Sequence, residues 1–132
     1  MKSTLKILFA DDDLKYSLVL KRFLEREGYE VTYTGNGTMA LEQFPVVKPD
    51  LVLLDIWMPD CDGVTLLRDW EKQGQLNMPV VMMSGHASID TAVEATKIGA
   101  ADFLEKPISL QKLLSTVERC LKYSEVQKIG TV

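Results

Sequence analysis

Five times along this chain, a segment of strand length, most often an apolar run, is followed by a segment whose apolar residues recur at helical spacing. Residues 5–10 read as a first buried strand. Tyr16, Val19, Leu20, Phe23 and Leu24 then fall at i, i+3, i+4, i+7 and i+8, one face of a helix. Gly28 follows and suits the positive φ of a C′ position. Glu30 to Thr34 alternates in polarity and reads as a second strand, closed by the turn signal Gly35-Asn36-Gly37. Met39, Ala40, Leu41 and Phe44 predict a short second helix that ends before Pro45. Residues 51–54 form a third strand without polar alternation, as expected when both faces are covered. Val64, Leu66, Leu67 and Trp70 mark a third helix, with Gly74 in the loop after it. Residues 79–83 give a fourth buried strand. Ile89, Ala92, Val93 and Thr96 predict the inner face of a fourth helix, stopped at Gly99. Asp102 to Glu105 is a short fifth strand. Ser109 is a good N-cap for a last helix, with Leu110, Leu113, Leu114, Val117 and Leu121 as its apolar stripe.

Alternation at this spacing predicts an α/β domain with a parallel sheet and helices on both faces. With 132 residues, the chain suits one domain with one core. Residues 1–122 carry the pattern; residues 123–132 lose it, and either extend the last helix or begin a linker to an output domain. Apolar residues are 46% and charged residues 26%, ordinary for a globular protein. The net charge of −4 offers no basic surplus for direct nucleic-acid binding or for an anionic membrane surface. No apolar stretch approaches the roughly 20 residues of a membrane span, and the N-terminal run is too short for a signal peptide, so a cytoplasmic protein is expected. Cys61 and Cys120 lack metal-type spacing and suit a reducing compartment.

In an open α/β sheet, ligands bind beyond the carboxyl ends of the strands. The residues at those ends are therefore informative. Asp11, Asp12 and Asp13 follow the first strand, Asp55 the third, Ser84 the fourth and Lys106 the fifth. The second strand is followed only by Gly35 and Asn36, as suits an edge away from the site. Several carboxylates in one crevice repel one another, and at least one pKa rises unless a cation compensates. Mg²⁺ prefers one or two carboxylates, waters and a phosphate oxygen. Asp11, Asp12 and Asp55 fit that preference, with the backbone carbonyl of Trp57 as a further ligand. Lys106 can offset the charge of a phosphoryl group and Ser84 can donate to one of its oxygens. Phosphoryl transfer asks mainly for such positioning and neutralisation, and a screened carboxylate can be the nucleophile. Each piece also has a plain structural reading: Asp11 to Asp13 as helix-capping acids, Asp55 as a loop acid. The joint pattern outweighs these.

The same residues resemble bacterial two-component response-regulator receiver domains over residues 5–121. The resemblance rests on Asp11-Asp12, on Asp55-Ile56-Trp57-Met58-Pro59 with Gly63, on Ser84-Gly85 and on Lys106-Pro107. The stretches 84–93 and 99–107 are most similar to the nitrogen-regulation subgroup. The resemblance implies a flavodoxin-like (βα)5 three-layer sandwich with a five-stranded parallel sheet in the order 2-1-3-4-5. It implies Asp55 as phosphoacceptor, Asp12 holding Mg²⁺ directly and Asp11 through water. Lys106 would pair with the phosphoryl group, with Ser84 and Phe103 as switch residues. Asp13 stands where a glutamate is commoner, which leaves its role open.

The implied partner is a sensor histidine kinase or phosphotransfer protein, and the implied output is transcription control through a domain outside this chain. The face of the fourth helix, fifth strand and fifth helix is the expected output or homodimer surface. An aspartyl-phosphate hydrolase is the competing enzyme reading. Trp57 stands where such enzymes carry a second acid, so at most slow autodephosphorylation and self-phosphorylation from small donors are expected. A module that only binds a partner is the other alternative, and the intact polar set counts against it. His86 reads as a solvated loop residue beside the site, and Trp70 as helix packing.

Overall fold

The computed structural model describes residues 4–85 and 89–130. Its elements are β1 (Lys6–Ala10), α1 (Leu14–Arg26), β2 (Glu30–Thr34), α2 (Gly37–Val47), β3 (Leu51–Asp55), α3 (Gly63–Lys72), β4 (Val80–Ser84), α4 (Ile89–Ile98), β5 (Asp102–Glu105) and α5 (Leu110–Gly130). All five strands pair in parallel, in the order β2-β1-β3-β4-β5. The expected flavodoxin-like three-layer sandwich is the observed one.

The apolar strands are explained by two cores, one on each face of the sheet. Leu8, Ala10, Val52, Leu54, Val80 and Met82 pack with Ala40 and Phe44 of α2, Leu66, Leu67 and Trp70 of α3, and Ala95 of α4. Their strand neighbours Ile7, Phe9, Leu51, Leu53, Val81, Met83 and Leu104 meet Leu20 and Leu24 of α1 and Leu113, Val117 and Cys120 of α5. Successive side chains along a strand point to opposite faces, so burial on both sides demands an unbroken apolar run. Each fully buried Val, Leu, Ile, Phe or Met among them contributes about 1.5–3 kcal/mol. Trp70 meets Phe44 edge to face at 4.4 Å between ring centroids, which bears out its reading as a packing residue.

At four helix starts a capping side-chain oxygen accepts one of the free backbone N–H groups. Asp13 accepts from Tyr16, Asn36 from Met39, Asp62 from Thr65, and Ser109 from Lys112 as expected. Asp13, whose role the resemblance left open, is thus the N-cap of α1, in line with the plain structural reading of these acids. Gly28 has φ +99°, the left-handed conformation expected after α1.

Five readings of the helices need correction, the first being Leu110, which stands exposed at the start of α5 instead of in its buried stripe. α2 does not end before Pro45 but continues to Val47. Pro45 deprives only the Leu41 carbonyl of its donor, on an exposed residue. The Lys48 N–H then closes the helix on the Phe44 carbonyl. Met39 and Leu41 of that helix are exposed, leaving Ala40 and Phe44 as its inner face. In α1, Val19 faces solvent while Ser17 is fully buried. In α4, Ile89 and Val93 are exposed, at 83% and 45%, and Ala95 and Ile98 face the core instead. A helix seated close against its neighbours turns small residues inward, so hydrophobicity alone picks the wrong face. The last helix runs on through residue 130.

Candidate functional site

The strand register brings four polar residues to one rim. Ala10 lies beside Leu54, Asp55 beside Met83, and Ser84 beside Glu105. Asp11 and Lys106 each stand one residue beyond their strands, while Asp55 and Ser84 are the last residues of theirs. The ladder itself fixes them: the Ile56 N–H donates to the Met83 carbonyl, and the Lys106 N–H to the Ser84 carbonyl. The crevice opens where β1 and β3 adjoin, the point at which the chain changes direction across the sheet.

One carboxylate oxygen from each of Asp11, Asp12 and Asp55 lies within 4.8 Å of the other two. Asp11 and Asp55 are buried, whereas Asp12 is exposed. Lys106 Nζ stands 2.7 Å from Asp11 Oδ2 and 3.5 Å from Asp55 Oδ2. The lysine is therefore the counter-ion of a buried acid pair. Burial opposes the Lys106 charge, but Asp11 and Asp55 outweigh it and hold the ammonium above its ordinary range. The Asp55 carboxyl is pushed up to about 6, first by burial and then by Asp11. Lys106 and the Trp57 N–H, which donates to the Asp55 carboxylate, act in the opposite direction. A single ammonium does not balance three carboxylates. The donor set is all oxygen and two of its members are buried, so it fits a hard divalent cation with a phosphate oxygen in its shell.

The other predicted residues fall as follows. Ser84 is fully buried at the end of β4. Phe103 sits opposite Met82, half-buried against the core shared by α2, α3 and α4. Trp57 is 57% exposed directly after the Asp55–Ile56 pair, with its side chain toward solvent. His86 lies outside the described residues.

Several supporting contacts escaped the sequence reading. Tyr33 donates its hydroxyl to the Asp11 carbonyl at 2.6 Å, so the edge strand β2 also touches the site. Asp60 accepts from the Gly37 and Thr38 N–H groups at 2.9 and 2.8 Å and from the Thr38 hydroxyl at 2.6 Å. Those bonds lower its pKa to about 2 and tie the loop after β3 to the start of α2. A Cβ on Gly63 would stand 2.3 Å from the Asp55 carbonyl oxygen, so only glycine lets α3 start against the end of β3. Tyr16 reaches the loop after β5, where its hydroxyl accepts the Ile108 N–H at 2.7 Å. Of these, only Gly63 carried a signal in the sequence, through its place in the motif after Asp55.

Comparison with known proteins agrees with this architecture. The pattern of the response regulator receiver domain family matches residues 7–118. The transcriptional regulatory protein ZraR of Klebsiella oxytoca is 38% identical over 122 residues, 92% of this chain and 27% of the relative. The nitrogen assimilation regulatory protein NtrX of Azorhizobium caulinodans is 41% identical over 118 residues, 88% of this chain and 26% of the relative. A CheY-like response regulator receiver domain protein from Methanospirillum hungatei superposes with a TM-score of 0.90 at 31% identity, over 95% of this chain and 99% of that one. The chain thus spans about a quarter of the length of the curated relatives it matches. No helix among the described residues is long and apolar enough to cross a membrane. With the family pattern spanning both cores and the acidic rim, the chain belongs to the response regulator receiver domains, the signalling modules of two-component systems.

Proposed function

We propose that this receiver takes a phosphoryl group onto Asp55 with Mg²⁺, from a sensor histidine kinase or phosphotransfer protein. The observation that carries the reading is the packing of Asp55 against two further carboxylates and one ammonium at the strand ends. Asp12 and Asp55, with Asp11 in support and the Trp57 carbonyl as a further donor, would hold the ion. When bound, Mg²⁺ neutralises charge on the acids and on the incoming phosphate.

The chemistry of the chain's own residues follows. An Asp55 carboxylate oxygen attacks phosphorus in line, and the bond from phosphorus to the donor breaks, with its electron pair leaving on the donor. Lys106 turns from Asp11 toward the new phosphoryl oxygens, and Ser84 donates its hydroxyl to another. Trp57 supplies no acid or base, so water attack on the acyl phosphate is slow and the protein signals rather than turns over substrate.

Phosphorylation adds roughly −1.5 to −2 charges at this rim. Drawing Ser84 and Lys106 inward shifts the segment that leads into α4, and Phe103 repacks beside it. The surface of α4, β5 and α5 then changes and serves as the output or homodimer face. In this reading residues 1–122 are the receiver and 123–132 lead toward an output module that controls transcription, in the cytoplasm. The receiver itself does not contact nucleic acid or membrane.

Chemical mapping tests the acceptor. Protein treated with acetyl phosphate and Mg²⁺ is expected to lose its phosphate to hydroxylamine, as an acyl phosphate does, with the adduct on Asp55. A hydroxylamine-stable phosphate, or one on Ser84 or His86, contradicts the assignment.

A further inference from the structure

We propose that Tyr16 is a positioning residue for Lys106, and through it for phosphoryl transfer to Asp55; this rests on the function proposed above. Tyr16 belongs to the first turn of α1, where its N–H donates to Asp13 Oδ1 at 3.2 Å. Its phenol oxygen accepts the Ile108 N–H at 2.7 Å, across 92 residues of sequence. Its ring lies 5.4 Å from Lys106 Nζ, within the range of a cation–π contact. One side chain thereby joins the loop that carries Asp11 and Asp12 to the loop that carries Lys106.

The need for such a joint comes from the lysine. Its ammonium is a compact charge on a flexible four-carbon stem. Charge contacts hold Nζ to Asp11 and Asp55 and the last ladder bond holds the Lys106 N–H to Ser84, but β5 ends at Glu105 and the chain beyond leaves the sheet's pairing. Tyr16 acts at both ends. Its hydroxyl anchors the chain two residues past Lys106, and its π face attracts the ammonium without a fixed direction. That combination suits a lysine that must leave Asp11 for a phosphoryl oxygen. Misplacing such a group costs rate even when every ligand of the ion is intact.

Two variants separate the contributions. Tyr16→Phe keeps the ring and removes the acceptor for Ile108; Tyr16→Leu removes both. With acetyl phosphate and Mg²⁺, the phosphorylation rate of Tyr16→Leu is expected to fall about tenfold and that of Tyr16→Phe about threefold. In a Lys106→Ala background, Tyr16→Leu should change the rate by less than about twofold, because its effect passes through the lysine. Mg²⁺ affinity by calorimetry should stay within about twofold of wild type, since the acids are untouched. The Ile108 amide should exchange faster in Tyr16→Phe than in wild type, whether or not phosphate is present. A wild-type rate in Tyr16→Leu overturns the inference alone, as does an equal loss in the Lys106→Ala background or a matching fall in Mg²⁺ affinity. If the wild-type protein takes up no phosphate, the proposed function falls and this inference with it.

Discussion

α3 and α4 lie side by side on one face of the sheet and are each 10 residues long, yet they are held very differently. α3 buries Gly63, Val64, Leu66, Leu67 and Trp70. α4 fully buries only Ala95 and leaves Ile89 and Val93 in solvent. Both helices follow site residues, α3 after Asp55 and α4 after Ser84. The loop before α3 is further tied by Asp60 to α2 and by the close seat of Gly63 on Asp55. An element with few buried apolar contacts has a low local stability and is the one a nearby charge can move. Asp55 thus sits at the foot of the rigid helix, and Ser84 at the foot of the loose one.

Core truncation tests the contrast hardest. Trp70→Ala should cost about 3–5 kcal/mol in urea unfolding, because it empties the space against Phe44. A loss below about 1 kcal/mol would deny α3 its anchoring role.

The next effect lies at the rim between the helices. Asp55 has its pKa raised to about 6 in the fold, so the native state favours its protonated form. The stability this lends is complete below the unfolded value near 3.8 and is lost as pH rises through about 6. Asp55→Asn, neutral at every pH, should therefore be more stable than wild type at pH 7 without Mg²⁺. After solvent screening the gain is about 1–2 kcal/mol, and it should vanish below pH 4. Thermal melts across that range would show it, and a gain that persists at low pH would locate the strain elsewhere.

Smaller still is the bridge between the helices. Arg68 of α3 pairs with Glu94 of α4 at the surface. Arg68→Ala should cost about 0.2–1 kcal/mol, and less in high salt. Smallest is Val93→Ser on the exposed face of α4, within about 0.5 kcal/mol of wild type. A large loss there would mean that α4 is packed as tightly as α3.

The same contrast separates what could be read from sequence from what could not. The strands were legible because burial on both faces leaves no polar residue from Leu51 to Leu54. α3 was legible because its stripe is large and apolar. α4 was read on the wrong face, because its seat uses Ala95 while its bulky residues stay outside. The end of α2 was misjudged because Pro45 falls in the last turns, where one exposed carbonyl can do without its partner. Asp11, Asp12, Asp55, Ser84 and Lys106 were legible because each closes or follows a segment that reads as a strand, and the parallel register carries them to one rim. Tyr16, Tyr33 and Asp60 were not, since their partners are 92, 22 and 22 residues away and no local pattern marks such pairs.

The most direct measurement is intact mass after exposure to acetyl phosphate, with and without Mg²⁺, for wild type and Asp55→Asn. The wild-type chain should gain one phosphate only when Mg²⁺ is present, and the variant none. Uptake by Asp55→Asn equal to wild type, or uptake by wild type that ignores Mg²⁺, would contradict the assignment of Asp55 and its acidic neighbours.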